Sequence, residues 1–208
     1  MQSLIEANGR PGFQEGVANF DVLVFGVGQM QAAYHLGQVL AQRRYASIFN
    51  FGIGGSFKDE FSKGSLVHIV QEELADLGAE DGDRQLDLFE MKLINPDSPP
   101  FQSGALRPAT LELNCLKDLP KVKSITVNRV LGTAASVSAA EKRYQPDVVN
   151  MEGAAVFYAC ASLKLPCVAV RAISDKVGPR DKSQWDIPGA IRNLNAMANK
   201  ILDEIGVS

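Results

Sequence analysis

The chain is poor in the side chains that most often carry out catalysis or bind metals. Its 208 residues include only two histidines, His35 and His68, and three cysteines, Cys115, Cys160 and Cys167. There is no HExxH motif, and the cysteines lack the spacing of zinc ligands. His35 falls in an amphipathic helical segment and His68 inside a strand-like run, where each is interpreted as a packing or surface residue. The sequence therefore predicts no histidine-centred triad, no metal site and no cofactor.

The sequence also lacks dense positive charge and long apolar runs. The formal net charge is -3 at pH 7, and the basic residues are scattered along the chain. This gives no general electrostatic reason to bind nucleic acid or an anionic membrane. No apolar stretch is long enough to span a bilayer, and none follows a basic start as a signal peptide would. Cys160 and Cys167 lie in apolar runs typical of buried thiols in a reducing compartment. We therefore expect a cytoplasmic protein.

What the sequence does contain is a regular alternation of strand-like and helix-like segments. Apolar β-rich runs include "DVLVFGVG", "ASIFNFGIGG", "SLVHIVQEEL" and "CVAVRAIS". Segments with helical spacing include "QMQAAYHLGQVLAQRR", "EGAAVFYACASLK" and "DIPGAIRNLNAMANKILDEIG". We interpret "LDLFEMKLI" as a further strand and "NPDSPPFQSGALRP" as a loop. Strands that are apolar along their whole length predict an α/β fold with a mainly parallel sheet that helices cover on both faces.

Two carboxylates stand at the ends of predicted strands. Glu152 lies in "VVNMEGAAVFYAC", where a strand turns into a helix, and Asp175 ends the strand in "VAVRAISDKVG". Ligands of open α/β sheets bind beyond the carboxyl ends of strands, which makes both acids candidate ligand-binding groups. Composition alone favours a simpler interpretation, a cap or turn acid at Asp175 and a helix first-turn acid at Glu152.

Two other segments have simpler interpretations. "GVGQMQ" (residues 26–31) begins like a dinucleotide-binding fingerprint but has no third glycine, so it is interpreted as a tight strand-to-helix turn. The acidic run over residues 72–83 is interpreted as a solvated loop.

The segment "VNMEGAAVFYACASLKLPCVAVRAISD" closely resembles the signature of the nucleoside phosphorylase and nucleosidase superfamily, and "NFGIGGSFKDEFSKGSLVHI" is similar to its glycine-rich segment. Within that superfamily, "ADLGAEDGD" and "PRDKSQWDIPGAIRNLN" look most like the futalosine hydrolases, which remove hypoxanthine from futalosine in an alternative route to menaquinone. The resemblance runs from about residue 21 to the C-terminus. It implies a single nucleoside phosphorylase-like domain over residues 1–208, built as a three-layer αβα sandwich with a central mixed, mainly parallel sheet.

The resemblance also implies roles for the two acids. Asp175 would be the general acid, protonating N7 of the purine as the bond between N9 and C1′ breaks. Such an acid needs its pKa raised above the ordinary aspartate value of about 3.9, and Ser174 would help to orient it. Glu152 would stay ionised, accept hydrogen bonds from the ribose hydroxyls and favour the oxocarbenium-like transition state.

Other site residues follow from the same resemblance. Met151 would pack its thioether on the sugar, and backbone would approach the ligand at Gly52, Gly54 and Gly55. Ile53 stands where adenosine-type nucleosidases usually have a polar residue, which makes methylthioadenosine a less suitable substrate.

The remaining candidates stay open between two interpretations each. Arg171 matches the family arginine but could equally be an ion-pair partner within the fold. Futalosine carries a benzoate, and Lys58, Arg107 and Arg180 are candidate cations for it. Trp185 could stack on an aromatic group or hold the last helix in place.

The start of the chain departs from the family pattern. Family members usually open with an apolar strand followed by a glutamate that activates water, whereas this sequence opens "MQSLIEANGR". On the sequence pattern, we therefore expect the first strand of the family fold to be missing, and neither Glu6 nor Glu15 follows a β-run. Alternatives to a futalosine hydrolase are a methylthioadenosine or S-adenosylhomocysteine nucleosidase, a purine nucleoside phosphorylase and a non-catalytic nucleoside-binding module. By analogy with the superfamily we expect a homo-oligomer.

Overall fold

The computed structural model describes residues 12–14, 20–179 and 181–206. The strands are β1 (Gly12–Gln14), β2 (Val22–Val24), β3 (Ile48–Ser56), β4 (Leu66–Leu74), β5 (Gly78–Asp81), β6 (Arg84–Asp87), β7 (Phe101–Gln102), β8 (Ala105–Leu106), β9 (Lys121–Thr126), β10 (Val148–Asn150) and β11 (Cys167–Lys176). The helices are α1 (Gln29–Gln42), α2 (Ala134–Tyr144), α3 (Gly153–Leu163) and α4 (Ile187–Glu204). Short 3₁₀ turns cover Asn114–Leu116 and Lys182–Gln184.

The central sheet is mixed, as predicted. Its strand order is β11-β3-β10-β9-β4-β8-β7, and β11 also pairs with β4. The pairs β11–β3, β10–β9 and β4–β9 are parallel, whereas β10–β3 and β11–β4 are antiparallel. The extra pairing joins the two ends of the row β11-β3-β10-β9-β4. Five strands therefore form a closed ring, and β8 and β7 extend the sheet from β4.

Helices cover both faces of this sheet because its central strands are apolar on both sides. On β11, Val168, Val170 and Ala172 pack in a cluster with residues of α4. The alternate residues Ala169 and Ile173 pack in a second cluster with residues of α3. The predicted arrangement of helix, sheet and helix is therefore confirmed.

The helix starts follow local sequence rules. Asp186 caps α4 by accepting a hydrogen bond from Gly189 N on Oδ1 (2.9 Å), and a proline stands in the first turn, as the sequence predicts. Thr133 caps α2 and forms a capping box with Ser136. The main-chain N–H of Asp186 also donates to Ser174 O at 2.8 Å, which ties the start of α4 to the end of β11.

Two local predictions were wrong. The "LDLFEMKLI" segment is not a strand beyond Asp87, because Asp87 Oδ1 accepts hydrogen bonds from Phe89 N (2.9 Å) and Glu90 N (2.8 Å) and bends the chain into a turn. The "NPDSPPFQSGALRP" segment is not wholly loop. It contains the hairpin of β7 and β8, in which Phe101 and Leu106 are buried against the sheet.

The strand before α1 lies apart from the central sheet. Within the described residues, β2 pairs antiparallel with β1 and forms a separate two-stranded sheet. Glu6 and Glu15 lie outside the described residues, so the predicted loss of the water-activating glutamate stays a prediction. None of the described helices combines the length and apolar character needed to cross a bilayer.

Candidate functional site

A cavity of about 240 Å³ opens where β3, β10 and β11 meet. Strand β11 runs parallel to β3 and β10 runs antiparallel to it, so both reach Gly55 from opposite directions: Asp175 and Val149 each pair with this glycine. The cavity brings together seven of the residues predicted from the sequence, namely Ile53, Gly54, Gly55, Met151, Glu152, Ser174 and Asp175. Its other walls are mainly apolar and include Val27, Val127, Val130, Leu131, Trp185 and Ile187.

Asp175 owes its position to an irregularity in β11. The register against β3 shifts between Ile173 and Asp175, as at a β-bulge, with Ser174 as the extra residue. The Ser174 hydroxyl lies within hydrogen-bond distance of Gly54 O (3.3 Å) and Asp175 Oδ1 (2.6 Å). One carboxyl oxygen of Asp175 is thus held by its neighbour, which fixes the orientation of the group at the cavity wall.

The environment of Asp175 suits a proton donor. Burial raises the pKa of this carboxyl above its ordinary value, and the hydrogen bond from Ser174 opposes that shift. A carboxyl group with a raised pKa keeps its proton to higher pH, which is the property that general acid catalysis requires.

Glu152 is held at the starts of two helices. It is the N-cap residue of α3, and its Oε1 accepts a hydrogen bond of 2.8 Å from the main-chain N–H of Gly28, the N-cap residue of α1. Helix N-termini carry partial positive charge and favour anions. Gly28 has a φ of 90°, which suits glycine, so the turn in "GVGQMQ" presents its N–H to the acid.

The glycines at the end of β3 make room for protein groups. A Cβ at Gly54 would lie 2.9 Å from both Val148 Cγ1 and Val149 O, so a side chain there would push β10 away. A Cβ at Gly55 would lie 3.4 Å from Asp175 Oδ2 and 3.1 Å from Val177 Cγ2. Their missing side chains allow the strand that leads to Glu152 and the strand that carries Asp175 to approach β3.

The sequence profile of the Phosphorylase superfamily matches residues 21–205, which include every described wall of this cavity. The chain belongs to the phosphorylase superfamily.

Individual relatives within this superfamily point to a narrower group of enzymes than the superfamily profile does. The chain is 31% identical to the futalosine hydrolase of Streptomyces coelicolor over 196 residues, covering 88% of this chain and 78% of the relative. It is 35% identical to the futalosine hydrolase of Acidothermus cellulolyticus over 185 residues, covering 85% of this chain and 72% of the relative. The solved structure of Helicobacter pylori futalosine hydrolase shares the fold, with a TM-score of 0.70 and 15% identity over 96% of this chain and 92% of that one.

Two predicted site residues, Arg171 and Gly52, are not among the described residues that line the cavity. Arg171 is only 1% exposed, and its guanidinium donates to Asn50 Oδ1 at 2.6 Å and to Asn50 O at 3.3 Å. Gly52 lies beside that guanidinium, where a Cβ would be in ordinary van der Waals contact at 3.4 Å. Of the two interpretations of Arg171, the geometry favours an internal partner of buried groups.

The predicted cations are placed away from the described cavity walls. Lys58 Nζ lies 3.9 Å from Asp147 Oδ1, and Arg107 donates to Gln71 Oε1 at 2.8 and 3.1 Å. Arg180 lies outside the described residues. Trp185 lines the cavity, next to the start of α4, so it is placed for either of its two predicted roles.

Three residues in or next to this site were not predicted from the sequence. Gly28 was interpreted as part of a turn, which it is, but its contact with Glu152 was not foreseen. Asn150 lines the cavity just before the Met-Glu pair. Glu72 was placed in a solvated acidic loop, and this was wrong: it belongs to β4 and is 0% exposed. The signal was present in "SLVHIVQEEL", where the acid continues an apolar strand.

Proposed function

We propose that the protein hydrolyses the N-glycosidic bond of futalosine, releasing hypoxanthine and leaving dehypoxanthine futalosine, as a step of menaquinone biosynthesis. The observation that carries this proposal is the meeting of Asp175 and Glu152 at one cavity, in a chain 31–35% identical to two futalosine hydrolases.

Asp175 acts as the general acid. Breaking the bond between N9 and C1′ leaves the electron pair on the purine, which departs more easily as a neutral base. Asp175 supplies a proton to N7 as the bond breaks, and the raised pKa keeps that proton available. Water then provides the hydroxyl that ends on C1′ and the proton that returns to Asp175. General acid catalysis of this kind contributes about 10²- to 10⁴-fold to the rate.

Glu152 acts on the sugar. One oxygen accepts a hydrogen bond from Gly28, which leaves the other available to the ribose hydroxyls. The positive charge that develops on the ribose in the transition state attracts the carboxylate, as in glycoside hydrolysis. Met151 lines the same cavity and packs its thioether against the sugar.

The character of the cavity supports a hypoxanthine-containing substrate over methylthioadenosine. Ile53 lines the cavity and offers no polar side chain to an adenine amino group. A methylthioadenosine nucleosidase is therefore the less favoured alternative. A phosphorylase would depend on phosphate, and a binding module would bind a nucleoside without turnover.

We also propose that the protein works in the cytoplasm as a homo-oligomer, with no nucleic-acid or membrane partner. Support for self-association comes from one side of α1. Met30 and Tyr34, one turn apart, are 84% and 62% exposed, and the nearby Val27 is 59% exposed.

The test is base release by the purified protein in phosphate-free buffer, with futalosine, methylthioadenosine and inosine offered separately. We expect hypoxanthine from futalosine, and a loss of about 10²- to 10⁴-fold in kcat in Asp175→Asn. Asp181→Asn is the matched control, because Asp181 is exposed and its described hydrogen bonds lie within its own turn, to Ser183.

Three results would contradict the proposal. Turnover of methylthioadenosine but not futalosine would favour the nucleosidase, and turnover only with added phosphate would favour the phosphorylase. Saturable binding of futalosine without base release would indicate a binding module.

A further inference from the structure

Beneath the start of α3 lies a buried acid that the proposed chemistry does not use. Glu72 in β4 is 0% exposed. Its Oε2 accepts a hydrogen bond from Thr126 Oγ1 at 2.8 Å, and its Oε1 accepts one from Asn150 Nδ2 at 2.6 Å. A methyl group at Gly153 would collide with Oε1, so the first turn of the helix rests directly on the carboxylate.

The first turn of α3 is capped in an unusual way. Glu152 occupies the N-cap position, yet among the described contacts its side chain makes no capping bond to the helix. Instead, Asn150 Oδ1 accepts hydrogen bonds from Glu152 N (2.9 Å) and Gly153 N (2.5 Å), and Thr126 Oγ1 accepts one from Ala154 N (2.8 Å). These bonds satisfy N–H groups that a helix leaves unpaired at its start. Because Asn150 and Thr126 supply the cap, the Glu152 carboxylate is not needed for it and can face the cavity.

The two capping side chains, Asn150 and Thr126, also donate hydrogen bonds to Glu72. Asn150 accepts from the helix through its oxygen and donates through its nitrogen to Glu72 and to Ser124 Oγ (2.8 Å). Thr126 accepts from the helix and donates its hydroxyl proton to Glu72. An ionised carboxylate can accept both of these bonds. A neutral carboxyl would carry a proton on one oxygen and would disturb at least one of them.

We propose that Glu72 is a positioning residue for the reaction: through Asn150 and Thr126 its carboxylate holds the start of α3, and thereby fixes the Glu152 carboxylate at the cavity. The effect of Glu72 on catalysis rests on the proposed function. Its role in capping α3 does not, and can be tested without any substrate.

The charges around Glu72 explain how such an acid is kept in the core. Burial raises the pKa of Glu72 to about 7, and the nearby charge of Arg171 is the largest effect in the opposite direction, followed by the hydrogen bonds from Thr126, Asn150 and Ser124. Arg171 and the Cys167 thiol face it from β11. Among the described residues, its hydrogen-bond partners Ser124 and Thr126 on β9 and Asn150 on β10 are neutral. The carboxylate that holds the cap is therefore lost as pH falls through about 7.

The experiment compares Glu72→Gln with Glu73→Gln. Gln has the shape of Glu72 but replaces one acceptor oxygen with a donor. Glu73 is the adjacent acid on the same strand, and its Oε1 accepts a hydrogen bond from Gln71 Nε2 at 2.8 Å. Two readouts are needed: kcat for futalosine hydrolysis from pH 5.5 to 9, and hydrogen–deuterium exchange of the peptide over residues 150–156 at pH 8.

In the wild type and in Glu73→Gln we expect kcat to fall as pH drops through about 7. In Glu72→Gln we expect kcat at pH 8 to be about 10- to 100-fold lower, because a misplaced catalytic group loses rate on this scale. The fall near pH 7 should be absent from this variant, and the amides at the start of α3 should exchange about 10-fold faster. Wild-type kcat and pH profile in Glu72→Gln, or unchanged exchange, would overturn the proposal.

A second pair of variants keeps the test decisive if Glu72→Gln does not fold. Thr126→Val removes one capping hydroxyl, and Thr126→Ser retains it, so exchange should be faster in the first and near wild type in the second. Equal exchange in both would reject the capping arrangement. If the wild type releases no base from any nucleoside, the proposed function fails, and the exchange experiment still decides whether Glu72 holds the helix start.

Discussion

At the scale of single residues, the hydroxyl of Ser174 controls how firmly Asp175 holds its proton. Burial raises the pKa of Asp175, and the bond that Ser174 donates lowers it by stabilising the ionised form. A general acid works while protonated, so activity is present below its pKa and is lost as pH rises through it. Removing the hydroxyl therefore raises the pKa further.

We predict that Ser174→Ala moves the alkaline limb of the pH–kcat profile to higher pH. Ser183→Ala is the matched control, because its hydroxyl donates to Asp181 at 2.7 Å on the exposed 3₁₀ turn. A limb that stays in place, or moves to lower pH, would show that Ser174 does not tune this acid. Futalosine hydrolysis measured from pH 6 to 10 checks the prediction.

At the scale of elements, two helical glycines should respond to alanine with opposite signs. Gly37 lies inside α1 with open space around it, so Gly37→Ala should stabilise the fold by about 0.5–1 kcal/mol through helix propensity. Gly153 begins α3 against the Glu72 carboxylate, so Gly153→Ala should destabilise by about 1–3 kcal/mol through overpacking.

Urea unfolding of the two variants beside the wild type measures both changes in the free energy of unfolding. A stabilised Gly153→Ala protein would mean that the start of α3 can lift away from β4 without loss.

Periodicity and caps predicted most of these elements, because they depend on neighbours within a few residues. The limits of α1, α3 and α4 and the long strands β3, β4 and β11 fall within a few residues of the predicted segments. The turn after Asp87 was missed because one side chain redirected the backbone. The hairpin of β7 and β8 was missed because its two short strands depend on the edge of a distant strand.

The candidate site was predictable only in part, for a related reason. Asp175, Glu152 and the glycines could be assigned because they stand in short motifs. The burial of Glu72 and the placement of Arg171 depend on how β4, β9, β10 and β11 come together. A single sequence contains little local information about which strands pair. Glu72, an acid in a strand, was therefore assigned to the surface.

At the scale of the whole molecule, the apolar side of α1 allows the proposed self-association to be tested. Met30 and Tyr34 share one face of the helix and are largely exposed. We predict that Met30→Glu combined with Tyr34→Glu reduces the solution mass from that of an oligomer to that of a monomer, because two charges would have to be buried at the interface.

Light scattering coupled to size-exclusion chromatography measures this mass. Leu93→Glu is the control, since Leu93 is 64% exposed in the turn after β6 and is far from α1 in the sequence. An oligomer that survives the double substitution would place the interface elsewhere.

The closed ring of five strands also has a bearing on the order in which the chain acquires its parts during synthesis. Its last pairing joins Ala169 in β11 to Ile69 in β4, about 100 residues apart in the chain. Contacts between such distant segments form slowly. Synthesis runs from the N-terminus, so β3, β4, β9 and β10 leave the ribosome before the strand that both completes the ring and carries Asp175. A nascent chain therefore lacks the proposed general acid until the segment that closes the ring has emerged, and the cavity is complete only when Trp185 and Ile187 have followed it.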